Sequence, residues 1–237
     1  NSLQYVKSIA SSIEPFEIYC ISYKEDIKSV EHNIQLVNTK GHYVQHIRGV
    51  EGIFEAHKAC AEKCKSKMFW VMDADALIND DFDFDYIPDQ YDLDVVHVWA
   101  SENPVTGDQY GYGGVKLFNT QQVREATSWG LDFTTGLSTR FKSMPQISCT
   151  TKFNIDAYST WRSAFRETVK LALSKDPDAD RRLNKWLNPL ADCDYCDDAM
   201  LGANMGKEFA LENKDKPDVL NNINDYEWLE NTWKQLS

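Results

Sequence analysis

The sequence contains no long apolar run. No stretch approaches the ~20 consecutive apolar residues that a membrane-spanning helix needs, so we expect no membrane span. Basic residues are also few, since 25 Lys and Arg stand against 37 Asp and Glu and give a formal net charge of −12. This balance argues against non-specific nucleic-acid binding by the surface as a whole, but leaves a local basic groove open.

Cysteine is scarce, with six residues in 237. A disulfide framework would require a higher density, so we expect reduced thiols and a cytoplasmic location. A four-thiolate zinc site would need Cys193 and Cys196 together with Cys60 and Cys64. Only the first pair has ordinary zinc spacing. The alternative for Cys60 and Cys64, one helical turn apart, is a buried helix face.

A pair of aspartates directly follows the most apolar segment. Asp73 and Asp75 come after residues 68–72 (Met-Phe-Trp-Val-Met), a composition that predicts a buried strand. Residues i and i+2 of a strand point to the same side. Two carboxylates placed in this way can share Mg²⁺ or Mn²⁺ and leave its other positions to water and substrate phosphates. The pattern therefore predicts a metal site suited to a diphosphate.

The first half of the chain alternates between strand and helix patterns. Strands are predicted at residues 16–23, 43–47, 68–72 and 94–99, with helices at 27–37 and after Gly52. This alternation predicts an α/β fold with a mostly parallel central sheet flanked by helices, and a helix-rich C-terminal part. Ligands of such sheets bind beyond the carboxyl ends of the strands. The chain is 42% hydrophobic, which is enough to bury one core, so we expect a single domain over residues 1–237.

A glycine-rich segment precedes another predicted strand. Tyr112, Gly113 and Gly114 lead into Val-Lys-Leu-Phe. Glycine at this place lets the backbone approach a ligand closely. A plain hairpin turn requires the same residues, and both interpretations stay open.

These features together resemble the GT-A type of nucleotide-sugar-dependent glycosyltransferase. The likeness covers residues 16–120: a strand, loop and helix, then an apolar strand ending in Asp-x-Asp, then a glycine-rich strand. It implies that Asp73 and Asp75 hold Mn²⁺ or Mg²⁺ against the diphosphate of a donor, most simply a UDP-sugar. It also implies that Ser22 and Tyr23 contact the base, and that Tyr112, Gly113 and Gly114 lie on the acceptor side. Residues 1–120 would then form the donor half and residues 121–237 the acceptor half.

Some segments are similar to glycosyltransferase-like proteins of tailed phages and large viruses. These are the glycine-rich strand and Trp161–Arg166, read as Trp-Arg-Ser-Ala-Phe-Arg. If the likeness holds, the acceptor is a glycan or a hydroxymethylated DNA base, and the location is the host cytoplasm. Many members of the family take a further metal ligand, often histidine, from the C-terminal half. All five histidines here lie in the first half, so that ligand would be a carboxylate, an amide or water.

Two further donor-binding candidates stand before and within the second predicted helix. Arg48, ahead of Gly52, is placed to contact ribose or phosphate near the helix N-terminus. His57 falls on the apolar stripe with Ile53 and Cys60. A histidine in such a stripe is usually a packed core residue, so both interpretations remain.

The second half offers cations and carboxylates on predicted helices. Arg162 and Arg166 lie on one face of a helix over residues 160–174, where they would neutralise a diphosphate or form an ordinary solvated face. Asp197 and Asp198 precede a helix at 199–211 and are candidates for the catalytic base, or serve only the helix dipole. The polar segment 148–156 is expected to be a loop lining the acceptor pocket.

Two other functions compete with glycosyl transfer. A haloacid-dehalogenase-like phosphatase also carries Asp-x-Asp after an apolar strand, with Asp73 as nucleophile. Against it, that motif normally ends the first strand and expects Thr or Val where Leu77 stands. The third possibility is a non-catalytic glycan- or protein-binding module in which Asp73 and Asp75 bind a structural cation.

Overall fold

The computed structural model describes residues 15–110, 114–127 and 140–236. The chain forms two compact units. The first comprises the chain up to Glu102 and Gln109–Thr151, and the second comprises Asn103–Asp108 and the chain from Lys152 onward. The predicted division into donor and acceptor halves at residue 120 stays a prediction.

The first unit is built on an eight-stranded sheet within the described residues. Its strands are β1 (Glu17–Ser22), β2 (Val44–Arg48), β3 (Met68–Asp73), β4 (Ala76–Ile78), β5 (Val96–Glu102), β6 (Gln109–Tyr110), β7 (Val115–Asn119) and β8 (Phe141–Thr151). They follow the order β2-β1-β3-β7-β5-β8-β4, with β6 paired to β5.

The α/β class is confirmed, but the sheet is mixed and not mostly parallel. β1 pairs in parallel with β2 and β3, and β5 pairs in parallel with β8. β7 runs antiparallel to both β3 and β5, and β4 runs antiparallel to β8. Helices connect the first three strands and keep them parallel. The chain between β5 and β7 carries β6 in place of a crossover helix, so β7 returns antiparallel.

Three helices accompany the sheet in the described part of this unit: α1 (Ile27–Asn38), α2 (Ile53–Lys63) and α3 (Thr120–Glu125). α1 packs Val30 and Val37 into an apolar cluster with Trp70, while α2 packs Cys60 into a cluster with Phe69. Neighbouring residues of β3 therefore face different helices. Because both faces of β3 are covered, its five apolar residues are buried, as expected for a central strand.

The segment 148–156 is not simply a loop, contrary to the expectation from its polarity. Its first part, up to Thr151, belongs to β8, where Ser148 and Cys149 are buried against β5. The Ser148 hydroxyl donates to the carbonyl oxygen of Ala100 (3.1 Å), which satisfies a polar group inside the sheet.

The second unit is helical, which confirms the helix-rich C-terminal part. Its helices are α4 (Ala157–Leu173), α5 (Ala179–Leu187), α6 (Cys196–Glu212), α7 (Pro217–Leu220), a 3₁₀ turn (Asn221–Asn224) and α8 (Tyr226–Lys234). Across the described residues, every helix falls short of the length and apolar content that a bilayer crossing requires.

Candidate functional site

The carboxyl ends of the three parallel strands bring the main candidate residues to one edge of the sheet. In the register of these strands, Ile21 lies beside Asp73 and Ser22 lies beside Arg48. Residues far apart in sequence are thereby placed on neighbouring strand ends. This edge is where a parallel arrangement is expected to bind its ligand.

Asp73 is the last residue of β3 and is held by the neighbouring strand. Its backbone N–H donates to the carbonyl oxygen of Gly114 (2.8 Å). Its carboxylate Oδ2 lies 3.5 Å from the ammonium Nζ of Lys116 on β7. The Asp73 side chain is 35% exposed, so the carboxylate remains open to a ligand while it faces a cation.

Asp75 lies in the turn after β3 and is partly buried. The turn is fixed from α1, because the side-chain amide of Asn33 donates to the carbonyl oxygen of Ala74 (3.0 Å). Desolvation raises the pKa of Asp75 from 3.8 to about 6, with further increases from the charges of Asp73 and Glu25. The negative charges of Asp73, Asp75 and Glu25 create a negative potential that a divalent cation would relieve.

This raised pKa gives a stability prediction. The folded state binds the Asp75 proton more tightly than the unfolded state, so the free energy of unfolding should fall as the pH rises from about 4 to about 6. Asp75→Asn removes this penalty. Since the residue as a whole is partly exposed, we expect a gain of about 2 kcal/mol at pH 8, shrinking at pH 5, in urea unfolding without ligand. Asp80→Asn, at a fully exposed site, should show no such pH-dependent gain.

Gly114 packs closely against the turn that follows Asp73. A Cβ atom at Gly114 would lie 2.7 Å from the Cβ atom of Ala76 and 3.6 Å from that of Asp73. The glycine therefore permits β7 to approach the aspartate turn closely, which is a packing reason for it. Of the three residues expected on the acceptor side, Tyr112 and Gly113 lie outside the described residues.

Adding one methyl group at Gly114 is expected to displace this turn. Gly114→Ala should lower the free energy of unfolding by about 1–3 kcal/mol through overpacking. Combining it with Ala76→Gly removes the opposing methyl group and should recover part of the loss. Urea unfolding of both variants measures this, and an equal loss in the single and double variants would contradict the contact.

A hydrogen-bonded group occupies the ends of β1 and β2. Ser22 Oγ lies 2.7 Å from Nε2 of His46 and accepts from the guanidinium of Arg48 (3.2 Å). Arg48 also donates to the backbone oxygen of Glu25 (3.0 Å), while the Tyr23 backbone N–H donates to the Glu25 carboxylate (2.6 Å). Desolvation and the nearby Arg48 charge lower the pKa of His46, which favours its neutral form. Arg48, predicted separately from Ser22 and Tyr23, thus lies in one cluster with them.

His46 and Lys116 were not singled out from the sequence. The signal for His46 is the alternation in β2, which places it two residues before Arg48 on the same side. The signal for Lys116 is a charge between buried residues: Val115 and Leu117 are both fully buried. A lysine inside such a strand needs an anionic partner.

His57 lies in the core and not at the sheet edge. Its side chain is 1% exposed, its Nδ1 is 2.7 Å from the Ile53 backbone oxygen, and its ring packs edge-on against Phe118. Desolvation lowers the pKa of His57 to about 3, so the imidazole is neutral. A side chain buried to this extent does not reach a donor at the strand ends, and we leave it out of the proposed site.

Arg162 and Arg166 are engaged within the second unit. Arg166 donates to the backbone oxygen of Ile223 (2.7 Å) and to the side chain of Asn224 (3.3 Å). Both guanidinium groups lie over the ring of Tyr226, at 5.2 and 5.4 Å. These contacts give the two arginines a structural role in holding the C-terminal segment against α4.

Asp197 and Asp198 lie in the first turn of α6, after Tyr195 in the left-handed conformation. Asp197 is exposed and Asp198 is partly buried. Desolvation, followed by the charge of Asp197, raises the pKa of Asp198. Both carboxylates also suit the positive end of the helix dipole.

The cysteines differ in part from the expectation. Cys193 and Cys196 form a disulfide, so the prediction of reduced thiols is wrong for this pair. The other four are free and buried. Cys60, on the covered face of α2, and Cys64, directly after that helix, lie in the same apolar cluster, in line with the alternative of a buried face. The disulfide also removes two of the thiolates from the four-thiolate zinc site.

The described residues contain no cluster of three or more His, Cys, Asp or Glu side chains placed to hold a metal ion. Asp73 and Asp75 are therefore proposed as a pair of carboxylate ligands, without a third acidic, histidine or cysteine ligand among the described residues. Magnesium is commonly held by one or two carboxylates together with substrate phosphates and water. Two carboxylate ligands suit a metal ion that binds together with its substrate. A permanent metal centre would usually have more protein ligands.

No protein-family model matches the sequence, and a search of curated proteins also gave no match. Among solved structures, HddC from Yersinia pseudotuberculosis is similar with a TM-score of 0.38 and 16% identity, covering 61% of this chain and 76% of that chain. A putative glucose-1-phosphate thymidylyltransferase from Bacillus anthracis, in complex with a sucrose, has a TM-score of 0.35 and 13% identity, covering 54% and 67%. Likeness at these values carries no argument about the fold or the activity of this chain.

Proposed function

We propose that the protein is a metal-dependent glycosyltransferase that moves a sugar from a nucleotide-sugar donor to a hydroxyl acceptor. The observation that carries the proposal is the pair Asp73 and Asp75 at the carboxyl edge of the sheet, with Lys116 beside Asp73. The side chain of Asp73 is 35% exposed, and residue Asp75 is partly buried. The resemblance to GT-A enzymes assigns the same two residues to the donor diphosphate.

Asp73 and Asp75 would hold Mn²⁺ or Mg²⁺, which when bound offsets the negative charge that develops on the departing nucleoside diphosphate. The chain's own contribution is placement. The Gly114 carbonyl fixes the backbone of Asp73, and Asn33 fixes the turn that carries Asp75. A ligand pair held from two directions costs little reorganisation when the donor binds.

The cluster at the ends of β1 and β2 is the proposed nucleoside subsite. Ser22, His46 and Arg48 offer a hydroxyl, an imidazole and a guanidinium at the edge that also carries Asp73. Tyr23 is 40% exposed and offers a ring face for a base. A uridine nucleotide is our first choice for the donor, following the family resemblance.

The acceptor proposal is coarser. A net charge of −12 favours the hydroxyl of a neutral glycan over a hydroxymethylated DNA base. The proposed catalytic base is Asp198 or Asp197, because a raised pKa brings the carboxyl of Asp198 closer to the range in which it can take a hydroxyl proton.

The second candidate is a phosphatase that uses Asp73 as nucleophile. The Asp73–Lys116 pair favours it, because an ammonium beside the nucleophile would also stabilise a phosphoryl group. However, Asp73 ends the third described strand, and the phosphatase motif normally ends the first.

Turnover assays separate the candidates. The protein is incubated with a panel of nucleotide-sugars and Mn²⁺, and release of nucleoside diphosphate is followed with and without glycan acceptors. A parallel reaction contains an aryl phosphate with and without vanadate. Mn²⁺-dependent donor cleavage supports the glycosyltransferase, while vanadate-sensitive phosphate release without donor cleavage supports the phosphatase. The absence of both activities would favour a non-catalytic binding module.

A further inference from the structure

Lys116 occupies an unusual place for a lysine. It lies in the middle of β7, between two antiparallel neighbours, β3 and β5. Its strand neighbours Val115, Leu117 and Phe118 are fully buried, and its own side chain is only 14% exposed. An ammonium so shielded from water is costly unless it faces negative charge, so its presence here calls for an electrostatic explanation.

The negative charge is supplied by the proposed metal ligands. The ammonium of Lys116 lies 3.5 Å from Oδ2 of Asp73, and its charge also acts on Asp75. An ammonium has three N–H donors, and a contact of 3.5 Å is longer than a strong charge-assisted hydrogen bond. Lys116 is thus near enough to neutralise Asp73 without being locked to it.

If Asp73 and Asp75 held a divalent cation, the balance of charge around Lys116 would change. Two cations that contact the same carboxylate repel each other strongly in a partly buried place. The flexible four-carbon stem of lysine lets the ammonium move, whereas the backbone that carries the two aspartates is held by Gly114 and Asn33. The oxygens of a diphosphate that shares the metal would then offer new anionic acceptors for the ammonium.

We propose that Lys116 is an internal counter-ion that neutralises Asp73 in the ligand-free protein and transfers to the donor diphosphate when the metal binds. This inference rests on the proposed function and deepens it. It implies that metal alone binds weakly, because it must displace the ammonium. It also implies that metal and nucleoside diphosphate strengthen each other's binding, since the displaced ammonium gains a new partner.

Electron paramagnetic resonance of free Mn²⁺ tests this in the full chain, with and without UDP. For Lys116→Met we expect Mn²⁺ alone to bind at least about fivefold more tightly than in the wild type, because its competitor is gone. We also expect the tightening of Mn²⁺ binding by UDP to fall by roughly tenfold or more. Lys116→Arg keeps the charge and should retain most of the mutual tightening.

A second lysine serves as the matched control. Lys40 is similarly shielded, with 22% of its side chain exposed, and pairs with Asp80 in the same unit. Lys40→Met should leave the affinity for Mn²⁺ unchanged, both with and without UDP. If Lys116→Met does not fold, Lys116→Gln provides the neutral variant with a polar end, and the same pattern is expected.

The outcomes distinguish the inference from the proposed function. A purely structural Lys116 would give unchanged or weaker Mn²⁺ binding in the neutral variants, with the effect of UDP intact, and this result overturns the inference alone. A wild-type protein that does not bind Mn²⁺ even with UDP or other nucleoside diphosphates contradicts the proposed function itself.

Discussion

Asp75→Asn is expected to lower metal-dependent donor cleavage by about 10²- to 10³-fold. The substitution keeps the size and shape of the side chain but removes its charge. Asp75 then offers one neutral carbonyl oxygen, a much weaker ligand for Mn²⁺ or Mg²⁺ than a carboxylate. The loss should appear mainly in kcat/KM at low metal concentration, and excess Mn²⁺ should recover part of it.

The control is Asp80→Asn, which alters a nearby aspartate that is fully exposed. It should retain wild-type cleavage. Because Asp75→Asn is expected to make the ligand-free protein more stable at pH 8, loss of activity together with gain of stability would identify a carboxylate kept for function. Full activity in Asp75→Asn would contradict the assignment, and so would an equal loss in Asp80→Asn.

Gly206→Ala is expected to destabilise the second unit by more than about 3 kcal/mol. A Cβ atom at this position would lie 2.4 Å from the backbone oxygen of Phe165 and 2.3 Å from Oγ1 of Thr168. The first of these atoms belongs to the backbone of α4 and cannot turn away. Gly202 meets the same helix, where its added Cβ atom would lie 2.3 Å from the Trp161 backbone oxygen.

These two glycines, spaced four residues apart, let α4 and α6 pack backbone to backbone. Alanine ordinarily favours a helix over glycine by about 1 kcal/mol, so the expected loss reverses the intrinsic preference. Glu208→Ala, exposed on the same helix, is the control and should stay within about 0.5 kcal/mol. Guanidinium unfolding followed by far-ultraviolet circular dichroism measures both. A neutral or stabilising Gly206→Ala would contradict the close helix contact.

The local elements of the fold could be predicted where burial is periodic. β1 and β3 are rich in strand-forming apolar residues, and α1 repeats Val30, Ile34 and Val37 at helical spacing. The antiparallel insertion of β7 between β3 and β5 could not be predicted, because strand order is decided by long-range pairing and leaves no periodic trace. β8 could not be predicted either, because its first part is largely exposed, contains Pro145 and does not alternate regularly between apolar and polar residues.

In the candidate site, too, some residues could be predicted from the sequence and their partners could not. Asp73 and Asp75 stand out because two charges follow an apolar strand, but the partner of Asp73 comes from β7, 43 positions later, through a pairing that the sequence does not reveal. The arginines of α4 show the converse. Their spacing predicts one helix face, for either phosphate binding or an ordinary solvated role. It does not reveal that the ring of Tyr226 and the backbone oxygen of Ile223, far along the chain, contact them.

The most direct test of the central claim is isothermal titration of the wild-type protein with UDP, in Mn²⁺ and again with a metal chelator. Asp73 and Asp75 are proposed to bind the diphosphate only through a shared cation. We therefore predict measurable binding in Mn²⁺, its loss in chelator, and its loss in Asp73→Asn even with Mn²⁺ present. Binding that is unaffected by chelator and by Asp73→Asn would contradict the account, as would an absence of binding with every nucleoside diphosphate.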